Sequence, residues 1–343
     1  MDSLTQLALG AAVGEATLGR KIGNRAIIWG AIAGTLPDLD VFVPLGDAVR
    51  DFTYHRSASH SLFVLALLTP LMAFLVTRIH PDTRQHFKRW MLAIYLVFAT
   101  HVLLDSLTAY GTQIFWPFVT TPVSLSSVFI IDPLYTLPLL VGVVAALVMT
   151  RQTDRGHLVN RFGLVASTLY LGWTLVAKEI VERNFEDALR DQGIAYEKLF
   201  TTPAPFNSVL WRTVVRDHGG YYEAYYSLLD DNNDIRFRYF PSEDRLLDAI
   251  AGHWPVQRLQ WFSRGFYSVS ERRGDIVISD LRMGLEPSYV FQFKVGEISN
   301  PHPQPVTPEQ LQADRDLGVL RLVWERIWDQ SVELGAPQTG LPD

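Results

Sequence analysis

Trp90-Met91-Leu92-Ala93-Ile94-Tyr95-Leu96-Val97-Phe98-Ala99-Thr100-His101-Val102-Leu103-Leu104-Asp105-Ser106 decides how the rest of the chain is read. The stretch approaches the ~20 apolar residues that cross a bilayer. Near its end it carries a histidine and an aspartate. They lie at i and i+4, so on a helix both side chains share one face. An ionisable group inside a membrane segment is costly, and each one is by default a functional hypothesis with a partner to be named.

Working outward, residues 3–19, 26–45, 61–78, 133–150 and 162–181 have the same apolar texture, the second broken by Pro37-Asp38-Leu39-Asp40. We expect about six membrane-embedded segments. Basic residues fall in alternate connections: Arg20, Lys21 and Arg25, then Arg78, Arg84, Lys88 and Arg89, then Arg151, Arg155 and Arg161, whereas residues 109–130 hold no Lys or Arg. Basic loops stay in the cytoplasm, so both termini are expected outside. Trp90 opens the fourth segment, and Tyr110, Phe115, Trp116 and Phe118 follow it, as interfacial aromatics do. The chain begins Met1-Asp2 with no basic run, and no cleavable leader is expected.

Composition agrees. Of 343 residues, 48% are hydrophobic and only 19% charged, against about 25% charged in soluble domains. Through Glu182 there are 13 Lys+Arg and 12 Asp+Glu, and the remainder holds 17 and 24. The net charge of −6 argues against a nucleic-acid partner, which selects a basic face. With no cysteine, disulfides and thiolate ligands are excluded, and any metal site must use His, carboxylate or amide groups.

The fold class expected is therefore an all-α membrane bundle, residues 1–183, followed by a soluble α+β domain with an antiparallel sheet, residues 184–343. In the second part, residues 209–215 and 221–226 are rich in β-branched and aromatic residues and read as strands. Residues 203–206 read as a linker and 308–333 as a helix.

The chemistry-bearing residues gather at matching ends of the segments. Asp38 and Asp40 follow Pro37 on irregular backbone, which membranes tolerate only where protein buries it or it lines a watery cavity. His55, Arg56 and His60 lie in His-Arg-Ser-Ala-Ser-His-Ser, with Ser57 or Ser59 as a helix cap. Asp132 precedes Pro133, where a helix dipole favours an acid. Imidazole and carboxylate suit Zn²⁺, Mn²⁺ or Fe²⁺, and carboxylate with water suits Mg²⁺. We expect one or two divalent ions, zinc first, held by Asp40, His55, His60, His101 and Asp105. Asp38 or Asp132 would accept a proton, and Arg56 would steady an anionic oxygen. Gln6, Thr112 and Gln113 are candidates for supporting hydrogen bonds. Glu15, in an otherwise apolar helix, is expected to face the bundle interior, the alternative being a pair with a basic residue near 20–25. Gly10, Gly14, Gly30 and Gly34 form two small-residue spacings of four that permit close helix packing.

Asp2-Ser3-Leu4-Thr5-Gln6, Leu36-Pro37-Asp38-Leu39-Asp40, His55-Arg56-Ser57-Ala58-Ser59-His60-Ser61 and His101-Val102-Leu103-Leu104-Asp105 with Tyr110-Gly111-Thr112 together resemble the metal-dependent hydrolases of the bacterial inner membrane. That family is also described as LexA-binding or LexA-regulated membrane proteins. The likeness covers roughly residues 1–180. It implies a multi-span protein with hydrolase activity, and it maps its motifs onto Asp38, Asp40, His55, Arg56, His60, His101 and Asp105. Many members carry Thr-His near the start, where this chain has Thr5-Gln6.

The function expected is a metal-dependent hydrolase of the bacterial inner membrane. It would act at the outer interface on an amphiphilic (phospho)ester or lipid-linked substrate, with the C-terminal domain outside the cytoplasm. The alternatives are a metal- or proton-coupled transporter, which needs polar groups through the membrane depth, and an envelope sensor or scaffold with a structural metal.

Overall fold

The computed structural model describes residues 1–149, 154–232, 234–300, 302–312 and 318–334. Arg151, part of the sequence reading, lies outside those residues. Two compact units are present. The first comprises Met1–Val43 and Tyr54–Leu175, the second Pro44–Thr53 and Val176–Asp343.

The first unit is helical. Helix α1 (Ser3–Gly14) is capped by Asp2, whose Oδ1 accepts from the amides of Leu4 and Thr5. It runs on through a π-helical turn, Glu15–Gly19, and helical residues Arg20–Ile22. Gly23, at φ +66°, reverses the chain into α2 (Asn24–Thr35), a conformation glycine adopts without a Cβ penalty. The two helices pack backbone to backbone. A Cβ on Gly10 would stand 2.3 Å from the Gly30 oxygen, and one on Gly34 would stand 2.6 Å from the Gln6 oxygen. The glycine spacings thus do what the sequence suggested. They also bring the end of α2 beside Gln6.

A 3-10 turn, Pro37–Phe42, follows α2. The chain next forms α3 (Ala48–Tyr54), most of which belongs to the second unit. A short 3-10 turn, Ala58–His60, precedes α4 (Leu62–Ile79), whose first turn is capped by Ser61 rather than Ser57 or Ser59. Then come a 3-10 turn Pro81–His86, α5 (Phe87–Ser106), α6 (Pro133–Met149) and α7 (Arg155–Asp191). Among the described residues, three helical stretches are long and apolar enough to cross a membrane: Leu62–Ile79, Pro81–Ser106 and Arg155–Asp191. Helix α6 is apolar but shorter, at 17 residues. The unit's core is small and tight around α1, where Ala8, Ala11 and Ala12 are fully buried against Ala33, Val97 and Val102.

The second unit carries antiparallel sheets. β1 (Lys198–Pro203), β2 (Leu210–Asp217), β3 (Gly220–Ser227) and β4 (Arg238–Pro241) form one sheet in sequence order. Helix α8 (Trp254–Phe262) precedes β5 (Tyr267–Arg272), β6 (Asp275–Asp280), the small hairpin β7 (Gly284–Leu285) and β8 (Ser288–Tyr289), then β9 (Gln292–Glu297) and β10 (Gln304–Leu311). The second sheet has the order β10-β9-β6-β5. Helix α9 (Gly318–Trp328) follows.

Two sequence expectations fail here. Pro203-Ala204 is no linker: Pro203 pairs with Trp211 at the end of β1, and the Ala204 amide donates to the Leu210 carbonyl at 2.8 Å. Of the helix expected over 308–333, residues 308–311 belong instead to an edge strand, and the described helix is Gly318–Trp328. Pro305 and Pro308 lack an N–H, which an edge strand tolerates.

Segment 44–53 belongs with these sheets for a packing reason. The Phe52 ring lies 4.8, 4.5 and 5.1 Å from those of Phe262, Phe291 and Phe293. Arg258 Nε donates to Thr53 Oγ1 at 3.0 Å, and Val49 is fully buried. The chain leaves the first unit just after Asp40 and returns just before His55.

Candidate metal centre

Three elements of the first unit bring four side chains to one point. The turn after α2 supplies Asp38, the turn before α4 supplies His60, and the last turns of α5 supply His101 and Asp105. One ligand atom from each lies within 4.8 Å of all the others. His60 Nε2 is 3.2 Å from His101 Nε2 and 3.2 Å from Asp105 Oδ2. Asp38 Oδ1 is 3.3 Å from His60 Nε2 and 3.6 Å from His101 Nε2, and His101 Nε2 is 3.5 Å from Asp105 Oδ2. A tetrahedral ion with bonds of about 2.0–2.2 Å holds its ligand atoms about 3.3–3.6 Å apart. Five of the six separations, at 3.2–3.6 Å, lie at or near that spacing, and the sixth, between Asp38 and Asp105, is within 4.8 Å. His60, His101 and Asp105 are buried, and the Asp38 side chain is 20% exposed.

Hydrogen bonding fixes which nitrogens face the centre. His101 Nδ1 lies 2.7 Å from the Gly34 carbonyl. A carbonyl only accepts, so Nδ1 carries the proton and Nε2 offers a lone pair. His60 reaches the same state through Ser59. The Ser59 hydroxyl donates to Asp40 Oδ2 at 2.5 Å, so its oxygen accepts from His60 Nδ1 at 2.9 Å. Metal-binding imidazoles are held in this way, by an outer partner on the second nitrogen. Two imidazole lone pairs and two carboxylates then converge on one another, with Arg56 and the Met1 nitrogen set against Asp105 and, among the described residues, no such cation against Asp38. Asp105 adds to this. Its Oδ1 accepts from Gln6 Nε2 at 3.0 Å and contacts the Met1 nitrogen, while its Oδ2 is buried without a hydrogen-bond partner. The donor set, the spacing and the orphaned oxygen all fit a divalent ion.

The remaining candidates are placed around these four. Asp38, expected to take a proton, stands among the ligand atoms. Asp40 and His55, expected as ligands, bind each other beside them: His55 Nδ1 is 2.7 Å from Asp40 Oδ1. Asp40 Oδ2 also accepts from the Arg56 amide at 3.1 Å. The His55 side chain is 21% exposed, and its ring centre lies 5.9 Å from that of His60. Arg56 is 4% exposed, with its Nε 3.3 Å from Asp105 Oδ2, its Nη1 donating to Thr108 Oγ1 at 3.3 Å, and its guanidinium over the Tyr110 ring. It is placed as a counter-ion to Asp105. Its φ of +61°, uncommon for a non-glycine residue, is held by the Asp40 contact to its amide and by Gln113, whose amide donates to the Arg56 carbonyl. Thr112 pairs with Val123 in an isolated bridge.

Asp132 is a helix cap. Its Oδ1 accepts from the amides of Leu134 and Tyr135, and its Oδ2 accepts from the Tyr170 hydroxyl at 2.7 Å. Glu15 does not pair with a basic residue near 20–25. Its carboxylate is bound by His157 Nδ1 and Asn160 Nδ2 of α7. The sequence reading missed Ser59 as a relay, the Gly34 carbonyl, and the pair His157 and Asn160. The last had a signal in hindsight, since two polar side chains at i and i+3 share one helix face.

The fold and this centre define a helical, membrane-associated chain with a buried His/Asp cluster at one end of its bundle. Residues 1–181 match the family described as YdjM inner membrane protein, and the chain belongs to that family. The matched region contains all four residues of the cluster. The chain is also similar to YfhP, an uncharacterized protein of Bacillus subtilis (strain 168), at 28% identity over 141 residues, or 39% of this chain. The match spans 42% of that relative's length. No solved structure matches.

Proposed function

We propose that the chain is a metal-dependent hydrolase of the inner membrane, acting on an ester or phosphoester of an amphiphilic substrate. The reading rests on one observation: four N and O atoms stand at metal-ligand spacing with both histidines locked to present Nε2. Asp38, His60, His101 and Asp105 would hold the ion, zinc first, with Mn²⁺, Fe²⁺ or Mg²⁺ as further candidates. When bound, a divalent ion supplies Lewis acidity and lowers the pKa of water at the site.

The chain's own groups do the rest. Asp40 accepts from His55 Nδ1 and leaves Nε2 as a basic nitrogen, an arrangement suited to proton transfer. His55 takes a proton from the attacking water. The water oxygen bonds to the carbonyl carbon or phosphorus, the ester bond to the alcohol oxygen breaks, and the alcohol leaves with the proton from His55. Arg56 stands as the counter-ion of Asp105. In this proposal the bundle crosses the membrane about six times, with the cluster and the C-terminal domain on the outer side.

The second reading, cation- or proton-coupled transport, is favoured by the buried Glu15–His157–Asn160 group farther along α1. Nine residues separate Gln6 from Glu15, about 13.5 Å of helix. The stretch of α1 between them favours the hydrolase, because residues 7–14 supply no polar side chain and Gly10 and Gly14 meet α2 backbone directly.

Purified protein decides between them. Metal analysis with turnover of lipid and soluble esters, set beside ion flux in liposomes, should give metal-dependent cleavage and no flux. Flux abolished by Glu15→Gln, with no cleavage, would favour transport.

A further inference from the structure

The turn that carries Asp38 and Asp40 has an outer edge that the site does not use. Residues Pro37–Phe42 form a 3-10 helix, with three residues per turn, so i and i+3 eclipse. Leu39 and Phe42 therefore share one edge, Val41 shares that of Asp38, and Pro37 shares that of Asp40. Leu39 is 49% exposed, Val41 65%, Phe42 80% and Val43 53%. Single exposed apolar residues are ordinary, but a contiguous patch marks an interaction surface.

Two features identify what covers it. The patch continues the exposed apolar flank of α2, where Ile28 and Ile32 are also exposed. Its exposure also equals that of the long apolar helix α4, where Leu67 is 79% exposed. A second patch flanks the other ligand-bearing turn. Phe63, three residues after His60, packs edge-on against Phe118, and both are exposed. Phe118 is held there because the Leu62 amide donates to the Ile114 carbonyl and Ser61 Oγ donates to the Trp116 carbonyl. Neither patch lies within the long apolar helices except Phe63, at the very start of one.

We propose that Leu39, Val41, Phe42 and Val43 are sunk in the lipid layer, and that they set the His/Asp cluster at the depth where head groups join acyl chains. The substrate class follows: a membrane lipid cleaved at its glycerol-level ester or phosphoester linkage without leaving the bilayer. This second step rests on the hydrolase reading, while the lipid contact does not.

The chain has no cysteine, so single labels are clean. The full-length protein is reconstituted in phosphatidylethanolamine/phosphatidylglycerol vesicles with a nitroxide at Val41→Cys. Leu67→Cys serves as the lipid-facing reference and Glu271→Cys as the aqueous one. Collision with oxygen and with a water-soluble nickel chelate should place position 41 with position 67. Chelate access equal to that at position 271 would overturn the lipid contact. In the second arm, cleavage of vesicle lipid is compared with cleavage of a monomeric short-chain analogue of the same lipid. Phe42→Asp should lower the vesicle-to-soluble ratio by about tenfold, given the cost of a carboxylate in lipid. Phe42→Leu should leave it near wild type. An unchanged ratio in Phe42→Asp would overturn the substrate class. Absence of cleavage of either substrate by wild-type protein would overturn it together with the hydrolase reading, and the label would still decide the lipid contact.

Discussion

Both units bury charge, and they do so in opposite ways. In the second unit two buried arginines sit in closed pairs, while Arg212 Nε and Arg216 Nη1 lack a hydrogen-bond partner. Arg282 Nε and Nη2 donate to the two oxygens of Asp280, and Arg326 donates through both terminal nitrogens to the two oxygens of Asp230. These are the planar, two-point contacts that make arginine suited to buried ion pairs. In the first unit the cluster is open. Imidazole lone pairs face carboxylates and each other, and the second oxygen of Asp105 has no hydrogen-bond partner. A satisfied buried pair belongs to the fold. A buried set whose donor atoms suit a divalent cation is a candidate for function.

The largest test of this contrast is removal of one member from each cluster. Arg326→Ala leaves Asp230 with the Ser227 amide but no counter-ion, and should lower the unfolding free energy of the second unit by about 3–5 kcal/mol. Metal content of the folded protein should not change. His101→Ala should do the reverse, weakening metal binding by more than the roughly 10–100-fold that loss of an outer partner costs. The metal-free protein should melt near the wild-type temperature. Chemical denaturation together with metal titration checks both.

A step smaller is the relay to His60. Ser59→Ala removes the group that fixes the imidazole while leaving every ligand in place, and should weaken metal binding by about 10–100-fold. If affinity is unchanged, His60 does not need that lock and the tautomer argument fails.

Acid should also separate the two clusters. Ligand imidazoles must be neutral to bind a metal. Metal should therefore be retained at neutral pH and released at acidic pH. The arginine pairs should persist at that pH, which melting curves of the metal-free protein will show.

The smallest effect expected is at the helix crossing. Gly30→Ala forces a methyl to within 2.3 Å of the Gly10 oxygen. It should destabilise the first unit by about 1–3 kcal/mol and loosen metal binding, since the end of α2 holds Gly34 against His101.

Much of this centre could be read in the sequence. His101 and Asp105 share a helix face by spacing alone, and their apolar setting marks them. The segment at Asp38 and the two histidines of the His-Arg-Ser-Ala-Ser-His run were visible as polar islands. What spacing could not assign was who binds whom. Asp38 and Asp40 are two residues apart on a 3-10 turn, and which of them faces the centre depends on where α2 ends, set by the contact of Gly34 with the Gln6 backbone. His55 and His60 lie on non-helical backbone, where periodicity carries no information about direction. The C-terminal sheets were legible from β-branched and aromatic runs. The membership of 44–53 in that unit was not, because its reason is the meeting of Phe52 with Phe262, Phe291 and Phe293, more than 200 residues away.

The most direct test is X-ray absorption at the metal edge on the purified full-length protein, combined with elemental analysis. The account predicts a tightly bound divalent ion with two imidazole nitrogens and carboxylate oxygens at about 2.0–2.2 Å, absent from the His60→Ala/His101→Ala double variant. A protein that binds no divalent ion, or a double variant that keeps the same metal and the same imidazole signature, would contradict it.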